Sequence, residues 1–264
     1  VDGRSLALSG GIVAAGASVT ASTVGGYAKA FIGDNVEVGK ATDTAVGSLR
    51  IVATSDIDVS SEADAVSAGI GGGGANVARA IINPTLQSSI GGADVEVVDG
   101  ISMTSQSKAD ASAMTRGTSV GAGIALGASI SEASLTPTIA TFIGTGADIQ
   151  TGEGIVLQSL HNVDMAGNAI PKAAVAESHA SGGGTLSGTG SQANAAASAT
   201  LDTYVAGGAV LDGELDIQLK ALAYNRADAD AKGLSGGAVG VGVSLADATA
   251  SGSTKAHLDG RVTD

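Results

Sequence analysis

GAGIALGASISEASLTPTIATFIGTGADIQTGEGIVLQS (residues 121–159) is the stretch that the rest of the chain repeats in weaker form. It opens on small residues and passes through Ser129, Ile130, Ser131 and Glu132. It then reaches a short apolar step at Phe142 and Ile143, closed by Gly144. Ile149, a Gly-Glu-Gly turn and the apolar run Ile155, Val156, Leu157 complete it. An anchor Ser or Asn that follows a Gly/Ala/Val-rich run recurs at Ser18, Asn76, Ser129, Ser191 and Ser244. The intervals are 58, 53, 62 and 53 residues. Unequal spacing of this kind marks a structural repeat with insertions between its elements.

Each anchor is followed by the same order of elements. An apolar step reaches Gly in AFIGDN (30–35), SSIGGA (88–93), TFIGTG (141–146), YVAGGA (204–209) and HLDGRV (257–262). A short apolar-polar-apolar unit and then a strand-like unit come next, as in VEV (95–97) and GISMTS (100–105). Period-2 alternation at Asp56-Ile57-Asp58-Val59, Asp94-Val95-Glu96-Val97 and Leu215-Asp216-Ile217-Gln218-Leu219 is strand periodicity. It sends Ile57, Val59, Val95, Val97, Leu215, Ile217 and Leu219 to one side and the polar residues to the other. Ala favours helix, but frequent Gly opposes it, and no long window carries helical spacing.

The expectation is therefore an all-β fold, a β-solenoid (parallel β-helix) of imperfect repeats of about 55 residues, spanning 1–264 as a single array. Each repeat is expected to give roughly three coils of about 18 residues, which would make a rod on the order of 70 Å long at β-sheet spacing. The chain reads as an internal piece of a longer protein. Its ends are expected to pair with neighbouring repeats or with other copies, end to end.

Composition limits the interior and the partners. With 41 Gly, no Cys, no Trp and 2% aromatics, the core must be narrow and filled by Ala, Val and Ile. A net charge of −13 disfavours nucleic acid and anionic membranes, which need clustered Lys and Arg. The absence of Cys excludes disulfides and thiolate metal sites. No apolar run is long enough for a membrane-spanning helix.

Candidate chemistry is sparse. GDNVEVGKA (33–41) has the wrong spacing for a phosphate loop, and Ala41 stands where Ser or Thr is needed. GIGGGGA (69–75) and GGGTLSGTG (182–190) read as tight turns or thin packed strand. His161, His179 and His257 occur in unrelated contexts and read as exposed or turn residues. Asp94, Asp99 and Asp148, each beside a Gly-rich turn, faintly resemble calcium-binding β-roll turns, but outward Asp accepting local backbone hydrogen bonds is the preferred reading. Asp56/Asp58 and Asp228/Asp230 lie two apart on a strand, within the carboxyl separations of glycosidases, but lack aromatic platforms for a sugar. The TxT pairs Thr42/Thr44 and Thr136/Thr138 resemble ice-binding motifs but do not recur at one repeat position, which argues against that role. None of these makes a catalytic set, and the chain is read as no enzyme, with no assigned metal or cofactor site.

The five anchor motifs, the FIG steps at Phe31–Gly33 and Phe142–Gly144, and the Ala-Asp-Ala alternations resemble the repetitive regions of very large bacterial exoproteins of the filamentous-haemagglutinin-like and adhesin-like kind. The resemblance implies an extracellular or cell-surface location and a stalk or adhesive contact fibre. It also implies host-cell, partner-cell or glycan partners.

Overall fold

In a computed structural model, residues 1–39, 46–212 and 216–263 are described. They form strands and turns without helix. Lys40, Ala41, Thr42, Thr44 and Leu215 lie outside the described residues.

The strands fall into five units. The first contains β1 (Asp2–Ile32) and β2 (Glu37–Val38). The second contains β3 (Leu49–Ile90) and β4 (Asp94–Val97). The third contains β5 (Ile101–Leu135), β6 (Thr138–Ile143) and β7 (Asp148–Thr151). The fourth contains β8 (Ile155–His161), β9 (Ala174–Gly183), β10 (Leu186–Val205) and β11 (Val210–Asp212). The fifth contains β12 (Ile217–Ala223), β13 (Ala227–Gly236), β14 (Val239–Leu258) and β15 (Arg261–Thr263).

Every ladder between units is parallel and joins a unit to its sequence neighbour. The five anchors lie in one row, because Ser18 pairs with Asn76, Asn76 with Ser129, Ser129 with Ser191 and Ser191 with Ser244. The expected 18-residue coil is corrected here. Asp2 pairs with Ser60, Leu49 with Ile101 and Ile155 with Ile217, so a ladder partner lies one whole repeat away. Five units at sheet spacing give a stack about 24 Å tall instead of a rod near 70 Å. The reason lies in the side chains. Inward Ala, Ser and Gly let two long arms of one repeat lie against each other, so the chain runs out, turns and comes straight back before it closes.

Within a unit the chain does that. An outbound arm (49–69 in the second unit) faces a return arm (71–90), and the short strand β4 closes the base. The arms belong to one ten-stranded sheet that folds over at its tip; the closing strands form a second sheet in the order β15-β11-β7-β4-β2. Large aliphatics concentrate at the base, where Ile101, Met103, Ile143, Ile149, Ile155 and Leu157 are fully enclosed. Further out the core is chiefly alanine, including Ala63, Ala78, Ala111, Ala133, Ala176 and Ala195. The inward direction expected for Val59, Val95 and Val97 is observed, with Ile57, Ile217 and Leu219 half-buried.

The arms are closer than ordinary stacked sheets, which lie about 10 Å apart. Serine and threonine hydroxyls cross from one arm to a backbone carbonyl of the other: Ser61 Oγ to Arg79 O at 2.6 Å, Ser88 Oγ to Thr104 O at 2.8 Å and Thr141 Oγ1 to Gln158 O at 2.8 Å. A serine reaches that far only if the opposing backbone comes to meet it. The result is a blade, apolar at its base and pinned by hydroxyls towards its tip.

The corners follow directly after the FIG steps. The chain turns from return arm to closing strand at Asn35, Gly146 and Gly208, with φ of 56°, 80° and 86°. Those left-handed values suit Gly, and Asn among the other residues. The long interval in the fourth unit has one cause. Residues 162–173 connect β8 to β9, where three residues, 224–226, connect β12 to β13.

Candidate functional site

The anchors are structural pins. Ser129 Oγ donates to His179 O at 3.0 Å, and Ser191 Oγ donates to Ser178 O at 2.5 Å. Asn76 Nδ2 donates to Ser129 Oγ at 3.4 Å, and Ser244 Oγ accepts from Gly233 N at 2.7 Å. Ser18 shares a hydrogen with Ser5 at 2.6 Å. The four serine hydroxyls hold the arms together, while Asn76 is joined to its neighbour in the row.

The acid pairs are neutralised. Lys172, from the 162–173 connection, bridges Asp56 at 3.1 Å and also Asp58. Burial works against the Lys172 charge, but the hydrogen bonds to Asp58 and Asp56 outweigh it and raise its pKa above the ordinary lysine value. Asp228 meets Arg226 at 2.8 Å, and Asp230 meets Lys232 at 2.5 Å. Each of these four carboxylates faces a cation, whereas a glycosidase acid sits in an apolar pocket. Arg116 and Arg4 both reach Glu62, at 2.5 and 3.4 Å, and beside them burial and the Glu62 charge raise the Asp64 pKa. One outer side of the blade is thus a lattice of ion pairs running across the units.

The calcium candidates divide. Asp94 and Asp148 are ladder partners on adjacent closing strands, while Asp99 sits in the turn after β4, where its backbone oxygen accepts Thr151 Oγ1. Among the described residues no cluster of three or more His, Cys, Asp or Glu could hold a metal. Of the threonine pairs, Thr136 and Thr138 are exposed, and Thr138 pairs with Thr85 and Thr200. That column recurs across units although the TxT pair does not.

The three histidines lie apart. His161 is completely enclosed, against the expectation of an exposed or turn residue. Neither of its ring nitrogens has a hydrogen-bond partner. Burial holds its pKa down at about 4, with the Ser107 backbone pulling weakly the other way. His179 is half-buried in β9. His257 is partly exposed and stacks on Tyr204, whose ring in turn stacks on Phe142, with centroids 5.2 and 4.9 Å apart. Its Nδ1 lies 2.8 Å from Asp259 and its Nε2 3.3 Å from Asp202. Ser107 is the ladder partner of His161, but its hydroxyl makes no hydrogen bond to the ring, and no carboxylate among the described residues orients that imidazole.

What the sequence reading missed is the other outer side of the blade. Residues of the return arms whose side chains point outwards form columns across the units. The first is Val13, Gly71, Ile124, Leu186 and Val239; the second is Ala15, Gly73, Leu126, Gly188 and Val241. The third is Ala17, Ala75, Ala128, Gly190 and Val243, and the fourth is Val19, Val77, Ile130, Gln192 and Leu245. Gln192 is the only polar side chain among them. Leu126 and Val243 are 58% and 62% exposed, so these groups stand clear of the surface. A shallow trough of about 490 Å³ runs over the Gly and Ala positions, with Leu126 rising from it. The signal was present in GVGVSLADA (240–248), where large apolar residues alternate with Gly and Ser. Only one set can point inwards, and the narrow blade takes the small one.

Comparison with family models, curated proteins and solved structures finds no match for this chain.

Proposed function

We propose that this chain is a segment of a β-solenoid in which each repeat makes one rung, and that it serves as a structural and adhesive element of a bacterial extracellular or cell-surface protein. The supporting observation is the register. Five anchors about one repeat apart lie side by side in continuous parallel ladders. Cohesion in such a stack comes from main-chain bonds between rungs, which suits a load-bearing shaft better than a pocketed enzyme. The ion-paired side of the blade offers a solvated surface, and the chemistry that could contact host cells, partner cells or glycans lies on outward residues. Neighbouring rungs of the same protein, or other copies end to end, are the partners for the outermost strands.

Pulling the chain from its ends in a force microscope tests the reading. Rungs should release one at a time, each adding about 55 residues of contour, close to 190 Å at full extension. A single rupture freeing the whole length at once would contradict a rung-wise scaffold. Protease shaving of intact source cells tests the location; resistance of the segment until the cells are lysed would place it inside.

A further inference from the structure

We infer that the apolar side of the blade is a self-association surface, on which two copies pack face to face with their unit order reversed. This goes beyond the end-to-end contacts of the proposed scaffold and uses different residues.

The argument begins with relief. In the third unit Ile124, Leu126 and Ile130 form a ridge, and in the fifth Val241 and Val243 form another. Beside Leu126 and Ala128 the second and fourth units present Gly73, Ala75, Gly188 and Gly190, while Leu186 and Gln192 stand in the fourth unit beside Ile124 and Ile130. In the column of Leu126 and Val241, large and small residues therefore alternate at one-unit steps. A two-fold axis along the strand direction, set between units three and four, places unit three opposite unit four and unit five opposite unit two. Leu126 of each copy then meets Gly188 of the other, while Val241 and Val243 meet Gly73 and Ala75. Every contact is returned by its symmetry mate, as an isologous interface requires.

Area and charge agree with this occupant. Four columns across four units cover roughly 500 Å² in projection, so two copies remove about 1,000 Å², the threshold for a specific interface. A chain of net charge −13 meets its like with least repulsion where charge is lacking, and these four columns carry none. The next column outwards is Arg79, Glu132, Asn194 and Asp247, with Arg79 and Glu132 paired at 3.0 Å. That rim lacks the cationic excess that an anionic lipid surface demands.

Sedimentation of the 264-residue chain over a concentration series is the test. The expected result is a reversible dimer that Leu126→Arg or Val243→Asp weakens at least tenfold, while Leu234→Arg on the ion-paired side leaves it unchanged. Should Leu126→Arg fail to fold, a spin label on Ala128→Cys decides; the proposal requires short label-to-label distances between copies. A chain monomeric at all concentrations overturns it. So does association that ignores both face variants but responds to changes in the outermost strands, which would indicate end-to-end joining alone. Vesicle binding by a monomer, abolished by Leu126→Arg, would reassign the face to lipid. The rung-wise release described above is unaffected by any of these outcomes.

Discussion

At Gly117 the geometry leaves no room for a methyl group. An added Cβ would lie 2.7 Å from Asn76 Nδ2 and 2.8 Å from Ser129 Oγ, the second of which pins the arms together. Gly117→Ala should therefore cost about 1–3 kcal/mol, as overpacking of a tight interior does, and urea unfolding reads it directly. Gly183 meets nothing within 4 Å of a built Cβ, so Gly183→Ala should be neutral or slightly stabilising in the same assay. His161 sets a second expectation at this scale. Its folded pKa, about 4, lies below the ordinary histidine value of 6.5, so the unfolded chain binds the proton more readily between these values. Stability is complete above about pH 6.5 and declines as the pH falls towards 4, by up to about 3 kcal/mol, beyond which this group adds no further change. His161→Leu should flatten that part of the pH profile in denaturant titrations. A wild-type and mutant profile that run parallel would show that His161 does not control it.

Among the elements, the 162–173 connection shows how an insertion is absorbed. Asn162, with φ of 48°, turns its side chain back into the ladder; its Oδ1 accepts from Ala109 N at 2.8 Å and its Nδ2 donates to Ala109 O at 3.1 Å. The amide stands in for a missing strand residue. Asn162→Ala leaves both Ala109 groups unpaired in a buried site and should cost about 2–4 kcal/mol. Lys172→Ala removes a bridge whose carboxylates, Asp56 and Asp58, are largely exposed, and should cost about 1 kcal/mol. Calorimetry on the pair would separate the two roles, and equal losses would refute the distinction. The same elements show what a reader of the sequence can and cannot see. Anchors such as Ser129 and Ser191 were legible because a repeat must present like residues to its neighbour in the ladder. Strand direction and inward Val95 and Val97 followed from period-2 alternation. The size of a unit's loop was not legible, because alternation specifies faces and leaves open which residues pair. Leu126 and Val243 were hidden for a related reason: periodicity separates two faces without saying which is solvated when both lack charge.

For the molecule as a whole, the length of each ladder closure governs how it folds. Pairing begins only after a loop of one full repeat has closed, at an entropy cost that grows with the logarithm of loop length and is met before contacts repay it. Apart from the short antiparallel contact between Val163 and Ala169, no described strand pairing is local in the manner of a hairpin, so folding should be slow, on the scale of milliseconds to seconds or longer. Once two units pair, each further unit docks on an existing edge, and stability becomes a sum over neighbouring units. Ending the chain after Asp212 deletes β12 to β15 and leaves the first four units with their mutual ladders intact. The shortened chain should keep its β-sheet dichroism and unfold at lower denaturant. Its m-value should fall by about one fifth, in step with the surface lost. Loss of all ordered structure would mean instead that the five units fold as one indivisible body, and that the contacts between neighbours are not separable.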